Sequence, residues 1–156
     1  MSEPAVSLQD TYAPRSTCFG CGPANADGLQ LKSFVEGEQL VARWTPCPRF
    51  EAFADTLNGG IIGVLLDCHC NWTAAYHLMQ ATASDHPPCT VTAEYKVKFA
   101  APTDATTEVT VVAWLAELGT RSAKVQGEIR SHGVRTASCD AVFVKVKPGH
   151  PAYHRW

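Results

Sequence analysis

The chain has 156 residues, a length typical of one domain, and 46% of them are apolar against 18% charged, which excludes intrinsic disorder. The formal net charge of −2 lacks the basic excess of nucleic-acid-binding proteins. The first ten residues lack the basic and apolar regions of a secretory signal. We therefore expect a cytoplasmic protein with neither a nucleic acid nor a membrane as partner.

The first 27 residues are expected to form an irregular N-terminal arm, because prolines and the turn-forming run CFGCGPANADG interrupt any periodic pattern. Leu29 and Leu31 then begin a strand pattern, which ends at Gly37. Residues 39–44 alternate apolar and polar side chains as a second strand. The two strands predict a hairpin, followed by a proline-containing loop over residues 45–57.

The seven cysteines are an odd number without a secretory signal, which indicates reduced thiols. Cys18 and Cys21 have a spacing found among zinc ligands, but no second pair at a standard spacing completes a tetrahedral set. We therefore expect no metal and no cofactor. Structural zinc on these two thiols and further unknown ligands stays an alternative. Cys68 and Cys70 are interpreted as small buried residues of a helix.

Residues 61–79 form an unbroken, mostly apolar run behind two glycines. The run is too long for a strand, and its alanines and leucines favour a helix, with Asn58 as the predicted N-cap. Asp67, His69 and Asn71 would make insertion into a bilayer costly, so a buried core helix is expected. Because this helix is apolar on nearly every side, we expect a second copy of the chain to help cover it.

Four strand patterns follow the helix, at residues 91–99, 106–117, 121–131 and 134–147. In the first of them, the alternation places Val91 and Tyr95 on one face and Thr92 on the other. Short turns predict antiparallel neighbours, and residues 148–156 are expected to be a loosely ordered tail.

The order of elements predicts an α+β fold, an antiparallel sheet of about six strands wrapped around one long central helix. We expect it to form a single domain over residues 28–147, between the arm of residues 1–27 and the tail.

An isolated acid, Asp67, lies in the middle of the apolar helix. An ionised carboxylate is costly to bury, so Asp67 is paired, neutralised or used. It follows Asn58 by nine positions, which is about 13 Å along a helix axis. The helix start and Asp67 therefore cannot act on one reacting group within one chain, and this distance favours a dimer.

The element order and the segment NGGIIGVLLD resemble the hotdog-fold acyl-CoA thioesterases of the phenylacetate-degradation type. That family has H-G-G, an apolar run, and an acid nine positions after the histidine. Here Asn58 stands in place of the histidine and Asp67 is the acid. The segments CFGCGPANADGLQLKSF and TAEYKVKFAAPT are also similar to family segments. The departure at Asn58 argues against an acid or base role for that position.

The resemblance implies hydrolysis of an acyl-CoA thioester to free acid and coenzyme A in a homodimer or homotetramer. It assigns Asp67 as general base or as nucleophile. It assigns the backbone N–H groups at Gly59 and Gly60 as the oxyanion site, with the acid of one subunit acting beside the helix start of the other.

Three further polar residues are candidates for substrate contact: Asn58, Asn71 and Thr92. Asn71 lies one turn after Asp67 and on the same face. It could orient the attacking water or the acid, and a hydrogen bond to a neighbouring backbone group is an equally open interpretation. Thr92 matches a position where some relatives place a polar residue near the attacking water. His69 points away from Asp67 and is interpreted as a core or interface histidine.

Two other functions stay open. A non-catalytic module of the same fold would bind acyl-CoA or a fatty acid and would not need Asp67. A hotdog hydratase or dehydratase would carry a D-x4-H helix motif, and Trp72 stands at the histidine position. The acyl chain length is not predicted.

Overall fold

The computed structural model describes residues 5–156. The elements, in chain order, are α1 (Leu8–Tyr12), β1 (Phe34–Glu36), β2 (Gln39–Trp44), a 3-10 turn (Pro48–Phe50), β3 (Glu51–Phe53), β4 (Thr56–Leu57), α2 (Gly59–Ala81), β5 (Thr90–Phe99), β6 (Val109–Leu118), β7 (Ser122–Ser131) and β8 (Val134–Lys145). No helix in this part of the chain is long and apolar enough to cross a bilayer.

Six strands form one antiparallel sheet in the order β1-β2-β6-β7-β8-β5. The tight turn between β7 and β8 places His132 and Gly133 at φ 51° and 76°, as a two-residue hairpin turn requires. The long helix α2 packs on one face of this sheet. The predicted α+β hotdog architecture, with about six strands around one central helix, is confirmed.

Helix α2 begins as the sequence predicts. Asn58 is its N-cap, and its Oδ1 accepts a hydrogen bond from the Gly60 N–H at 2.7 Å. Further along, the backbone of β7 comes close to α2 at Gly127, where an added Cβ would stand 2.6 Å from Cys70 Sγ. A glycine is therefore required for this spacing between helix and sheet.

The arm is more regular than expected, because residues 8–12 form a helix. Ser7 caps it by accepting a hydrogen bond from the Asp10 N–H at 3.0 Å. A helix of five residues is too short to show a helical periodicity in the sequence. The strand expected from Leu29 begins only at Phe34, and Leu29 and Leu31 are buried without strand pairing. Residues 1–4 of the predicted arm lie outside the described residues.

The expected loop over residues 45–57 contains a small hairpin of β3 and β4. Its strands have three and two residues, too few for an alternation to be recognised. The hairpin holds Phe53 at the start of α2 with 66% of its surface exposed.

The C-terminal tail packs on α2, so the expectation of a loosely ordered tail is wrong. The Trp156 ring stacks on Trp72 with centroids 4.7 Å apart, and the Arg155 guanidinium donates to the Thr90 carbonyl at 3.1 Å. Apolar burial of Trp156 provides the driving force. Tail and arm together cover part of the helix surface for which a second copy was expected.

Strand β5 carries a β-bulge between Thr92 and Glu94, where it pairs with β8. The extra residue, Ala93, shifts the alternation by one position. Thr92 consequently faces α2 together with Tyr95, which corrects the expectation that the two side chains lie on opposite faces.

Candidate active site

The carboxylate of Asp67 is held between α2 and β5. Thr92 Oγ1 donates a hydrogen bond to Asp67 Oδ1 at 2.6 Å, which the bulge at Ala93 makes possible. Burial raises the pKa of Asp67 above its ordinary value, while the Thr92 hydrogen bond and the positive charge of Arg155 oppose this effect. The result is a partly desolvated acid with one fixed partner, an environment suited to proton transfer.

The role of Arg155 was not evident from the sequence. It lies 88 positions after Asp67, and only the packing of the tail brings its charge near. No periodicity or spacing in the sequence indicates this contact.

The start of α2 forms a second polar position in the site. Gly59 and Gly60 are exposed, and the Gly60 N–H is occupied by Asn58 Oδ1. For the Gly59 N–H we find no hydrogen-bond partner within residues 5–156. The ring of Phe99 lies beside Gly59, 3.5 Å from where a Cβ would be, so this donor borders an apolar surface.

A shallow depression of about 330 Å³ extends from this donor. Phe53 and Phe99 contribute to its lining together with Leu57, Ile62 and Pro102. Phe99 is 58% exposed, and exposed aromatic rings around a backbone donor favour an apolar ligand or a partner surface.

The two halves of the site lie at opposite ends of β5. Asp67 contacts Thr92 near the first residue of the strand, and Gly59 lies against Phe99, its last residue. The structure therefore does not bring the acid and the helix start together within one chain, as the distance along the helix implies.

Asn71 is directed to β5 and is only 5% exposed. Its Oδ1 accepts from Thr90 Oγ1 at 2.5 Å, and its Nδ2 donates to the Thr90 carbonyl at 3.5 Å. Of the two interpretations left open by the sequence, the hydrogen bond to a neighbouring backbone group is the one present. Asn71 thereby helps to fix the strand that carries Thr92.

His69 is a core residue with no exposed surface. Its Nε2–H donates to the Leu40 carbonyl at 2.9 Å, and its Nδ1 accepts from Ser33 Oγ at 2.8 Å. Ser33 Oγ in turn accepts from Gln9 Nε2 at 2.9 Å. Burial lowers the pKa of His69 to about 4, so this side chain is neutral near pH 7 and takes no part in the site.

The cysteines of the arm meet a cysteine of the helix. The Sγ atoms of Cys18, Cys21 and Cys68 all lie within 4.8 Å of one another. Cys68 and Cys70 are buried as expected. However, Cys68 also contacts the arm. Because Cys18 and Cys68 are far apart in the sequence, no local motif indicates this cluster.

With this geometry in place, comparison with known proteins identifies the family. Residues 52–138 match the family model of the Thioesterase superfamily. The chain belongs to this superfamily. Among curated proteins, none matches the chain.

Solved structures share the fold. A Thioesterase superfamily protein from Shewanella loihica is 29% identical, with a TM-score of 0.65 over 80% of this chain and 98% of that one. A phenylacetic acid degradation-related protein from Ralstonia eutropha is 21% identical, with a TM-score of 0.62 over 80% and 92%. A Bacillus halodurans protein crystallised with CoA is 20% identical, with a TM-score of 0.63 over 76% of each chain.

Proposed function

We propose that the chain hydrolyses an acyl-CoA thioester to a free acid and coenzyme A. The observation that carries the proposal is the pairing of Asp67 with Thr92 in a member of the Thioesterase superfamily. An acid held by a hydroxyl beside an open strand edge is suited to activate water. The Bacillus halodurans relative with CoA supports the substrate class.

As general base, Asp67 removes a proton from water while the water oxygen bonds to the thioester carbonyl carbon. The C–S bond then breaks, and the leaving thiolate of coenzyme A takes the proton from Asp67. As nucleophile, the Asp67 carboxylate bonds to the carbonyl carbon and releases the thiolate, and water hydrolyses the resulting anhydride. Single turnover in ¹⁸O-labelled water tests the nucleophilic route, because attack of water on the Asp67 carbonyl of the anhydride would leave ¹⁸O in the Asp67 side chain.

The Gly59 N–H is the proposed oxyanion donor, since it is exposed, without a partner in the described chain, and at the positive end of the α2 dipole. Gly60 leaves room for the carbonyl oxygen because it has no side chain. Its own N–H becomes available only if the Asn58 cap moves. Asn58 thus contributes by capping the helix rather than by acid or base chemistry.

A second copy of the chain would complete the site through β5. This ten-residue strand is at the edge of the sheet, and its exposed backbone groups are free to pair. Antiparallel pairing about a two-fold axis at Lys96, with Ala93 as the extra residue of the bulge, would put Thr92 opposite Phe99 of the partner subunit. Asp67 would then face Gly59 of the partner subunit, as the two-ended geometry of α2 requires.

The test is a panel of acyl-CoA esters with a thiol-trapping assay on wild type and Asp67→Asn. We expect Asp67→Asn to lower kcat by about 100- to 10,000-fold, the usual contribution of a general acid or base. Asp85→Asn is the matched control, because Asp85 is exposed in the loop after α2, and it should retain the full rate.

Full activity of Asp67→Asn would contradict the proposal. Wild type that binds CoA and turns over no ester would favour the non-catalytic module instead.

A further inference from the structure

Three thiols from two separate parts of the chain converge next to the proposed active site. Cys18 and Cys21 come from the arm, and Cys68 directly follows Asp67 on α2. The Sγ atoms of Cys18 and Cys68 are 3.8 Å apart, and all three Sγ atoms lie within 4.8 Å of one another. Cys21 and Cys68 are buried, whereas Cys18 is half-buried.

This spacing fits a tetrahedral thiolate site. Zn–S bonds are about 2.3 Å long, so two sulfurs on a tetrahedral zinc ion are separated by about 3.8 Å. The distance between the Sγ atoms of Cys18 and Cys68 equals that separation, and Cys21 Sγ, within 4.8 Å of both, would form the third corner of a face of the tetrahedron. Thiolate sulfur is also the ligand that soft cations such as Zn²⁺ select.

Two glycines of the arm, Gly20 and Gly22, allow it to pack closely against the three sulfur atoms. A Cβ on Gly20 would collide with Cys68 Sγ, and one on Gly22 would collide with the backbone of Cys18. Gly22 N–H donates to the Cys18 carbonyl at 2.8 Å, which closes a tight turn around the pair. The two glycines therefore permit a close approach of arm to helix that side chains would prevent.

A buried hydrogen-bond donor stands beside the cluster. The indole N–H of Trp72, a residue only 2% exposed, has no partner in the part of the chain that the structure describes. The Trp72 indole lies next to the Cys21 thiol. A buried N–H without an acceptor is costly, and a metal-bound thiolate at Cys21 would accept this hydrogen bond, as second-shell donors do at metal sites.

We propose that Cys18, Cys21 and Cys68 bind one Zn²⁺ ion, which fastens the N-terminal arm to α2 beside Asp67. Binding replaces the three thiol protons and leaves one tetrahedral position. Cys18 borders a cavity of about 460 Å³, also lined by His154. Arg15 and Arg155 line the same cavity and offset the net negative charge of a tris-thiolate zinc centre.

The first test is metal content and cobalt substitution of the full chain under reducing conditions. We expect about one Zn²⁺ per chain after purification with zinc, and the visible and thiolate charge-transfer bands of tetrahedral Co²⁺ after exchange. Cys68→Ser should lose these bands. Cys47→Ser is the control, since Cys47 is half-buried like Cys18 but lies outside the cluster, and it should keep them.

A second measurement needs no cysteine variant. Zn²⁺ should slow alkylation of Cys18 in the reduced wild-type protein and leave Cys47 unaffected, as read by mass spectrometry of the labelled peptides. Reduced wild type without metal uptake, equal uptake by Cys68→Ser, or unchanged alkylation of Cys18 would each overturn the proposal. This result is independent of whether the chain hydrolyses acyl-CoA.

Discussion

Thr92 controls the carboxylate at the centre of the proposed site. Its hydroxyl is 2.6 Å from Asp67 Oδ1 and favours the ionised acid. Thr92 is the third residue of the edge strand β5. Asn71 binds both the hydroxyl and the carbonyl of Thr90, two residues earlier, and so helps to fix the strand there. Thr92 is therefore the residue whose removal tests the site without removing the acid.

Thr92→Val should lower kcat/KM about tenfold or more, because a hydrogen bond to a charged group is worth about 1.5–3 kcal/mol. Thr92→Ser keeps the hydroxyl and should retain most of the rate. Steady-state kinetics of the two variants provide the measurement. Equal losses in both variants would show that the methyl group, and not the hydroxyl, is needed.

At the level of single residues, the sequence indicates the residues whose role depends on their neighbours along the chain. The cap at Asn58 and the isolated acid at Asp67 are visible in the pattern around them. The bulge that turns Thr92 toward α2 depends on pairing with β8. Arg155 and Cys68 find their partners through tertiary packing, which no local spacing encodes.

Three elements are joined by one buried chain of hydrogen bonds. It runs from Gln9 in α1 through Ser33 to His69 in α2 and ends on the carbonyl of Leu40 in β2. The first three of these residues have no exposed surface. Protonation of His69 would remove the acceptor that Ser33 needs, so the connection of α1 to the helix and sheet depends on a neutral imidazole.

We expect acid to weaken the fold through His69. Its pKa is about 4 when folded, against 6.5 for an ordinary histidine. Between these values the unfolded chain binds a proton that the folded chain does not, so the free energy of unfolding falls by roughly 1.4 kcal/mol for each unit of decreasing pH. Above pH 6.5 this contribution is complete and constant.

Urea unfolding at pH 7 and pH 5 measures this effect, and His69→Gln provides the comparison. The variant should be less stable at pH 7, but its stability should change less between the two pH values. An identical change in wild type and variant would assign the pH dependence to other groups.

At the scale of the elements, periodicity identified α2 and the long strands because each is amphipathic or apolar over ten residues or more. It failed for α1, β3 and β4, which have five, three and two residues. Segments of that length complete fewer than two periods of either pattern, and they form here because capping and tertiary contacts hold them.

For the whole molecule, the proposed site requires two chains, and mixing two inactive variants tests this directly. Asp67→Asn lacks the acid, and Gly59→Leu obstructs the helix start. In a mixed dimer, the intact acid of one subunit would face the intact Gly59 of the other. Random mixing through unfolding and refolding should therefore restore about a quarter of the wild-type rate.

Unmixed preparations of either variant are the control and should stay inactive. If light scattering shows that the mixture forms dimers and its activity still does not recover, the prediction is wrong. Either both groups then act within one subunit, or one of them takes no part in the reaction.

The hairpin turn at His132 and Gly133 also bears on the order in which the fold assembles. Strands β6, β7 and β8 are consecutive and joined by short turns, so their pairing closes only small loops. Pairing of β2 with β6 must instead enclose α2 and β5, at a higher entropic cost. We therefore expect the β6–β8 meander to act as the folding nucleus, and pulse-labelled hydrogen exchange should protect the amides of β7 before those of β2.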